Sequence, residues 1–393
     1  MGQNHPGQDC THPTSNAMKQ SIAIIGSRGI PAKYGGFETF AEHVAPSLVE
    51  DGYEVWASCE GTDPPYLSSY KGVRLFYFPI KPFRRVFYET MYDIFSLARA
   101  SVTCDSVLML GYGAGLFFFI PKLFRKRLLV NVDGREWKRE KYNKLEKAAL
   151  YVNERFALFY ADTIVADARA IKTYLTTRGR SAVFIPYGVD APRNVPWDPS
   201  LLDLQRGSAG DLAKTFSHEY LLIIARLERE NNILMMIDAF LRAKTGKKLI
   251  LVGSFLDSDY QKEIETLITD HQGHDRIAFV GPIYNKDALN MLRQHCFAYL
   301  HGHSAGGTNP SLLEAMITQN LICAHDNQFN REVCDRFALF FSDATELCAN
   351  IQTLEACPTE FDGLRAGAYN RAKTEYSWDR VVQEYEALIS DNE

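Results

Sequence analysis

The sequence predicts an α/β fold with two doubly wound, Rossmann-like domains that face each other across a cleft. Short apolar runs alternate with helical patterns, which is typical of a parallel sheet covered by helices. The alternation restarts after a proline-containing stretch at 191–211, and 393 residues exceed what one core usually holds. We therefore predict a first domain at 19–195 and a second at 196–376. A one-faced helical pattern in 377–393 predicts a C-terminal helix that crosses back to the first domain.

The first half begins with a nearly continuous apolar run at 20–26, as expected of a buried parallel strand. A loop at 27–36 follows, and then a helix with apolar residues three and four positions apart: Phe37, Phe40, Ala41, Val44 and Leu48. Later strands are predicted at 53–57, 73–78, 106–110, 127–132, 162–166 and 183–189. The second half repeats this order, with strands predicted at 219–225, 248–252, 276–280, 297–300 and 321–324.

Composition narrows the class of protein. A hydrophobic content of 46% and 26 glycines suit a soluble globular α/β protein. The 8 cysteines form no C-x-x-C pair, which argues against a zinc site or a disulfide framework and suits a reducing cytosol. The longest uncharged run, 106–121, is short for a membrane-spanning helix, so none is predicted. Residues 1–18 carry no secretory signal pattern, and we interpret 15–18 as a cloning scar or a late start outside the fold.

The loop at 27–36 lacks the G-x-G-x-x-G pattern, which disfavours a dinucleotide cofactor. Its paired glycines, Gly35 and Gly36, would instead let backbone N–H groups approach a bulky ligand across the cleft. The alternative is that they only permit a turn.

The stretch 299–316 combines an apolar strand, a glycine-containing turn and a helix start. Such an arrangement binds anions or polyols, because free N–H groups and the helix dipole meet there. Asn309 or Ser311 is a candidate cap, Pro310 suits the first turn, and Glu314 is placed to accept hydrogen bonds from hydroxyls. The alternative is a capped turn in which Glu314 only complements the dipole.

A third candidate site lies at the end of the strand predicted at 127–132. Asp133, Arg135 and Glu136 follow the run 127–132, and the carboxyl ends of parallel strands are where such folds bind ligands. A surface turn is the alternative.

Charge is distributed unevenly along the chain. Residues 71–147 contain 16 Lys and Arg against 7 Asp and Glu, a net charge of +9, whereas the whole chain carries −5. Aromatic residues alternate with these cations at 81–88 and 117–127, which suits an anionic membrane and a polyprenyl-diphosphate acceptor. The alternative is a pair of partly buried helices with a solvated basic rim. Nucleic acid is not predicted, because no nucleic-acid-binding module accompanies the charge.

Five motifs together resemble family-4 retaining glycosyltransferases of the GT-B fold, and in particular their rhamnosyltransferase-like branch. They are GSRGIPAKYGGFETF (26–40), NVDGREWKR (131–139), IPYGVD (185–190), ARLERENN (225–232) and GHSAGGTNPSLLEAM (302–316). The resemblance covers about residues 19–389, essentially the whole predicted fold.

The resemblance implies a role for Arg226 and for Glu314. Arg226 would stabilise the departing diphosphate, and Glu314 would accept from the ribose hydroxyls of a nucleotide-sugar. Two features of the family are missing: Asn231 stands where a second basic residue is usual, and Gly306 stands where a glutamate normally contacts the donor sugar. The missing glutamate disfavours a hexose such as glucose and favours a deoxyhexose such as L-rhamnose carried by dTDP.

The implied donor site is Gly35, Gly36, Arg226, Gly281, Tyr284, Gly306, Gly307, Thr308, Asn309, Ser311, Leu312 and Glu314. The implied acceptor site is Phe37, Glu38, Asp133, Arg135 and Glu136. Arg226 and Asp133 are the implied catalytic residues, with Asp133 orienting the acceptor rather than acting as a nucleophile.

The resemblance further implies retention of the anomeric configuration by a front-face route, with no cofactor and no metal. The expected acceptor is a polyprenyl-diphosphate-linked glycan in surface polysaccharide assembly. The expected location is cytoplasmic, peripheral on the inner face of the cell membrane. A catalytically silent nucleotide-sugar-binding or carbohydrate-binding protein and a sugar-nucleotide epimerase are the alternatives.

Overall fold

A computed structural model of the chain describes residues 20–32, 35–61, 66–80, 85–139, 142–202 and 220–390. The predictions for 1–18, for 81–84 of the aromatic and basic segment, and for 203–211 of the linker lie outside these residues. No helix in the described part of the chain is long and apolar enough to cross a membrane.

The first domain is built on an eight-stranded sheet in the order β3-β4-β2-β1-β5-β6-β7-β8, parallel except for the β3–β4 pair. Its strands are β1 (Ser21–Ile25), β2 (Glu54–Glu60), β3 (Ser69–Tyr70), β4 (Val73–Phe78), β5 (Ser106–Leu110), β6 (Arg127–Val132), β7 (Thr163–Ala166) and β8 (Val183–Phe184). Its helices are α1 (Gly36–Glu50), α2 (Arg85–Thr103), α3 (Phe119–Leu123), α4 (Lys144–Tyr160) and α5 (Arg169–Thr177).

The second domain is built on a six-stranded parallel sheet in the order β11-β10-β9-β12-β13-β14. Its strands are β9 (Tyr220–Ile224), β10 (Lys248–Val252), β11 (Ile277–Phe279), β12 (Ala298–His301), β13 (Ile322–His325) and β14 (Leu339–Phe341). Its helices are α6 (Ile233–Ala243), α7 (Ser258–Asp270), α8 (Lys286–Gln294), α9 (Pro310–Ile317), α10 (Gln328–Cys334), α11 (Ala344–Ala356) and α12 (Asp362–Glu375).

Each sheet has a hydrophobic core on both faces, as the continuous apolar strands predict. In the second domain, β9 alternates between the two cores: Tyr220 and Leu222 pack on one side, and Leu221 and Ile223 on the other. The sandwich of helices around a parallel sheet confirms the predicted doubly wound fold for both halves. The predicted limits at 195/196 and 376/377 stay predictions, because the sheets fix only the centres of the domains.

One predicted strand is much shorter than expected. The run 183–189 forms sheet hydrogen bonds only at β8 and at the next residue, where the Ile185 N–H donates to the Ala166 carbonyl at 3.0 Å. The chain then leaves the sheet toward the second domain. Val189 pairs with Ser377 instead, and its N–H donates to the Tyr376 carbonyl at 2.7 Å.

The last helix, α13 (Trp378–Ser390), packs on the first domain although it follows the second in sequence. Its Tyr385 ring lies 4.9 Å from the Phe40 ring of α1. The amide of Asn131, at the end of β6, donates to the Tyr385 hydroxyl at 2.7 Å in a buried environment. The helix therefore completes the core of the first domain, as its one-faced pattern predicts.

We expect Tyr385→Phe to lower the free energy of unfolding by about 1–3 kcal/mol, because the buried Asn131 amide would lose its acceptor. Denaturant titration of both proteins measures this. Tyr53→Phe is the matched control: it removes the Tyr53–Ser390 hydroxyl contact of 2.7 Å, where Ser390 is exposed and water can replace the bond. Equal losses for the two variants would contradict the importance of the buried bond.

Candidate active site

The carboxyl ends of both sheets face one interdomain cleft. Its main cavity, of about 440 Å³, lies between the α1 start of the first domain and the ends of β9, β10 and β11 in the second. Residues that line it include Gly35, Gly36, Tyr187, Arg226, Pro282, Tyr284, Arg293, Asn309, Ser311, Glu314 and Trp378. This is the position at which a doubly wound fold binds its ligands.

Two smaller cavities extend the cleft. An inner cavity of about 260 Å³ shares Gly36, Arg226 and His303 with the main one and reaches the region of Asp133. An outer cavity of about 350 Å³ adjoins the inner one at Gly306. The cleft therefore has room for a ligand larger than a nucleotide.

Two helix N-termini face each other across the main cavity. Helix α1 starts at Gly36, and the preceding Gly35 has φ +98°, a conformation that glycine adopts without strain. Helix α9 starts at Pro310, and the Asn309 side chain accepts from the Ser311 N–H at 3.0 Å. A Cβ atom at Gly36 would lie 3.9 Å from the Pro310 ring, so the two ends are close. Their dipoles together favour an anion in the main cavity beside both ends.

Arg226 follows β9 and lines both the main and the inner cavity. Its guanidinium lies 3.5 Å from the Glu228 carboxylate, and the side chain is 44% exposed, so it can reach a ligand. The Asn231 amide donates to the Arg226 carbonyl at 2.7 Å. Asn231 thus holds the backbone of Arg226 in place, where the resemblance leads one to expect a second cation.

Glu314, in α9, lines the main cavity and forms an ion pair with Arg293 of α8. Arg293 is only 2% exposed, whereas the Glu314 side chain is 43% exposed. The arginine therefore orients the carboxylate from beneath and leaves it open to the cleft. Sequence reasoning missed Arg293, because a single arginine in an amphipathic helix gives no signal of a buried partner in another helix.

The end of the main cavity near β11 is formed by Pro282, Ile283 and Tyr284. Tyr284 is exposed, so its ring is available to a planar ligand. Gly281 does not line the cavity: it has φ +73°, and its carbonyl accepts from the Gly253 N–H at 3.0 Å. Gly281 thus has a structural role in this turn, and its contact with a ligand stays a prediction.

The inner cavity brings Asp133 of the first domain near Gly306, Gly307 and Thr308 of the second. Asp167, which directly follows β7, lies at the same place and was missed by sequence reasoning. Its Oδ2 accepts from the Thr308 N–H at 3.1 Å, and the Thr308 hydroxyl donates to its carbonyl. Burial, and then the nearby Asp133, raise the pKa of Asp167 well above its usual value. A carboxylate directly after a strand end was the signal that could have found it.

His303 also lines both cavities beside Arg226. Burial, followed by the positive charges of Arg226 and Arg139, lowers the pKa of His303 to about 3. The imidazole is therefore neutral at physiological pH and stacks on His301 with ring centres 4.4 Å apart. Its place in a run of small polar residues gave no sequence signal, because its environment comes from distant residues.

Two further residues predicted to contact a ligand have buried side chains, and their contacts stay predictions. Leu312 is fully buried in the core of the second domain. Glu38 is 7% exposed, and its carboxylate accepts from the Arg28 N–H at 2.8 Å. It therefore stabilises the loop at 27–36 from the buried side. Among the other predicted acceptor residues, Phe37 lines the inner cavity with Asp133. Arg135 and Glu136 line the outer one.

Within the described residues, no group of three or more His, Cys, Asp or Glu side chains is arranged to hold a metal ion. The polar groups that line the cleft combine several cations, among them Arg226, Lys286 and Arg139, with two helix ends and several carboxyl groups. This arrangement can bind a diphosphate at one end and hydroxyl groups at the other.

Comparison with known families divides the chain in the same way as the two sheets do. Residues 211–372 match the family model described as glycosyl transferases group 1, and residues 19–190 match a domain of unknown function, DUF1972. The chain has the GT-B fold, and its second half matches the glycosyl transferases group 1 model. In this GT-B protein, β9 to β14 and the cleft-facing residues from Arg226 to Glu314 all lie within the matched range.

Solved structures share this GT-B architecture over nearly the whole chain. Sucrose-phosphate synthase from Thermosynechococcus elongatus aligns with a TM-score of 0.77 and 18% identity, covering 94% of this chain and 98% of that chain. HepE from Anabaena, in complex with UDP and glucose, aligns with a TM-score of 0.74 and 19% identity, covering 95% and 100%. At such identities the likeness supports the fold alone.

The match to a curated relative covers a smaller part of the chain. An alpha-1,3/1,6-mannosyltransferase of Kluyveromyces lactis is 28% identical over 186 residues, which are 46% of this chain and 35% of that protein. The chain thus spans about a third of the length of the curated relative that it matches.

We expect Gly307→Ala to push the two domains of this GT-B protein apart, because the added Cβ would lie 2.0 Å from Asp167 Oδ2. Small-angle scattering should give a larger radius of gyration, and the melting temperature should fall by several degrees. Gly36→Ala is the matched control, since its Cβ would make an ordinary contact of 3.7 Å with the Tyr187 ring. A Gly307→Ala scattering curve equal to that of the wild type would contradict the tight contact.

Proposed function

We propose that this protein is a retaining glycosyltransferase that moves a sugar from a nucleotide-sugar to a lipid-linked glycan. The observation that carries the proposal is the main cavity, where Arg226, Glu314 and the N-termini of α1 and α9 converge between the two domains. The glycosyl transferases group 1 match over 211–372 and the curated mannosyltransferase relative support it.

Nucleotide-sugar binding follows from the chemistry of this cavity. The diphosphate would lie between the two helix ends and Arg226, where both the dipoles and the guanidinium favour negative charge. The ribose hydroxyls would donate to Glu314, which Arg293 holds in place, and the base would lie along 282–284. The UDP and glucose in the HepE complex provide support from a protein of the same fold.

The reaction that we propose needs no protein nucleophile and no metal. The bond between the sugar C1 and the diphosphate oxygen breaks while the acceptor oxygen bonds to C1 on the same face. The acceptor proton passes to an oxygen of the departing diphosphate, so the configuration at C1 is retained. Arg226 stabilises the charge that develops on the diphosphate, and Asp133 orients the acceptor hydroxyl.

A deoxyhexose such as L-rhamnose, carried by dTDP, is the donor sugar that we propose. The support is Gly306, which stands where the resemblance places a sugar-binding glutamate. A Cβ at Gly306 would meet no atom within 4 Å, so this position contributes open space rather than a carboxylate to the cleft. The acceptor glycan would enter through the outer cavity, past Arg135 and Glu136.

We expect Arg226→Ala to lower kcat about 10²–10³-fold, as does removal of a donor that stabilises transition-state charge. Purified protein is offered dTDP-, UDP- and GDP-sugars with a short lipid-diphosphate glycan, and products are identified by mass spectrometry. Arg242→Ala is the matched control, because Arg242 pairs with Asp238 on the surface of α6. Unchanged turnover in Arg226→Ala would refute the role of this residue.

The same assay separates the alternatives. An epimerase would convert the sugar-nucleotide without any acceptor, and a silent binding protein would bind the donor without turnover. Either outcome with every donor and acceptor pair would overturn the glycosyltransferase proposal.

We further propose that the protein works at the inner face of the cell membrane as a peripheral enzyme. Support comes from a basic-apolar surface at α3, defined by Leu116, Phe119, Leu123 and Phe124 with Lys122, Arg125 and Lys126. Leu123 is 72% exposed and Phe124 48% exposed. Exposed apolar side chains next to cations are what an anionic leaflet attracts. A lipid-linked acceptor would be reached from such a surface.

We expect Leu123→Glu combined with Phe124→Glu to weaken binding to phosphatidylglycerol vesicles about tenfold or more, because two inserted apolar groups become charged. Vesicle flotation measures the bound fraction, and raised salt should also release the wild type. Leu256→Glu is the matched control, since Leu256 is 67% exposed on the second domain. Wild-type protein that does not float with anionic vesicles would refute the membrane proposal.

A further inference from the structure

Asp167 belongs to the first domain but makes its hydrogen bonds to the second. It directly follows β7, and its Oδ2 and its carbonyl are both bonded to Thr308, two residues before α9. Gly307 makes this approach possible, because any side chain there would collide with the carboxyl group. The first domain thus places a carboxyl group against the loop that precedes the N-terminus of α9.

The second oxygen of this carboxyl group remains to be explained. Oδ1 of Asp167 is buried and accepts or donates no hydrogen bond among the described residues. Asp167 as a whole is 8% exposed and lines the inner cavity. A buried polar atom without a partner is unfavourable, so a ligand in the inner cavity that supplied the missing bond would be stabilised there.

The space for that ligand lies next to the carboxyl group. Asp167, Gly306, Arg226 and His303 all line the same inner cavity, and a Cβ at Gly306 would meet nothing within 4 Å. The inner cavity continues from the main cavity at Arg226, so a group attached to a diphosphate in the main cavity would extend into it.

We propose that Asp167 selects the donor sugar, with its free Oδ1 hydrogen-bonded to a sugar hydroxyl in the inner cavity. This inference rests on the proposed glycosyltransferase function and names a specificity-determining residue for it. Asp167 comes from the first domain, whereas the diphosphate is held largely by the second. Asp167 can therefore contact the sugar only when the two domains are together.

The protonation state of Asp167 fits this role. Burial, Asp133 and Glu332 all raise its pKa, while the Thr308 N–H lowers it. Burial and Asp133 thus favour the protonated form more than water does, and a protonated carboxyl group can donate from one oxygen while the other accepts from Thr308. A neutral acid also avoids placing a negative charge close to the departing diphosphate.

Binding measurements with and without the sugar test the proposal. Calorimetry on the full chain compares UDP, dTDP and GDP with their nucleotide-sugars, for the wild type, Asp167→Ala and Asp167→Asn. We expect Asp167→Ala to bind the preferred nucleotide-sugar about tenfold more weakly, the range of one lost hydrogen bond, and the nucleoside diphosphate within about twofold. Asp167→Asn should retain most of the sugar affinity, because its amide still donates to the cavity and accepts from Thr308.

Glu332→Ala separates sugar contact from domain contact. It removes the carboxylate that accepts from the Arg169 N–H at 2.8 and 2.9 Å across the two domains, and Glu332 lines neither the main nor the inner cavity. We expect it to leave the ratio of nucleotide-sugar to nucleoside diphosphate affinity unchanged. Melting temperatures verify that each variant is folded, and Asp167→Asn serves if Asp167→Ala is not.

Two outcomes would overturn the inference. In the first, Asp167→Ala loses affinity for the nucleotide-sugar and for the nucleoside diphosphate equally, or loses neither affinity. Asp167 would then only join the domains, and the glycosyltransferase proposal would stand. If the wild type bound none of the nucleoside diphosphates or nucleotide-sugars, the proposed function would fail, and the inference would fail with it.

Discussion

The contact between the loop after β7 and the loop before α9 sets the geometry of the whole cleft. Thr308 donates twice across it, from its N–H to Asp167 Oδ2 and from its hydroxyl to the Asp167 carbonyl, and Gly307 allows the approach because it has no side chain. Together with the Arg169–Glu332 hydrogen bonds and the Arg139–Glu230 ion pair, this contact holds the carboxyl edges of the two sheets close together. Arg226 and the start of α1 thus come to face one cavity, although they lie in different domains.

The cleft distributes its charged groups unevenly. The main cavity has Arg226, Glu314 and the two helix N-termini around it, and the inner cavity adds the acidic pair Asp133 and Asp167 beside Arg226 and Arg139. A neutral His303 stands between these regions and adds no positive charge. Such a distribution suits a substrate with a dianionic tail and a hydroxyl-rich head, and it keeps charge-stabilising groups at the bond that would break.

The two domains are joined by paired crossing segments. The chain leaves the first domain after β8 and returns before α13, and Val189 pairs with Ser377 where these segments meet. The Trp378 ring stacks on His43 of α1, with ring centres 4.3 Å apart, and packs against Gly188. The crossing point is therefore anchored on the first domain, close to the main cavity that Trp378 also lines.

The sequence by itself determined the doubly wound halves, the returning helix and the glycine turns at Gly36 and Gly307, because periodicity and turn chemistry are local properties. Only the tertiary structure decided which polar residues act together. Asp167 meets Thr308 across 141 positions and Arg293 meets Glu314 from another helix, and no local pattern encodes such pairs. It also decided that Leu312 and Glu38 lie inside the protein, since a helix start shows which residues are near a cleft but not which way each side chain faces.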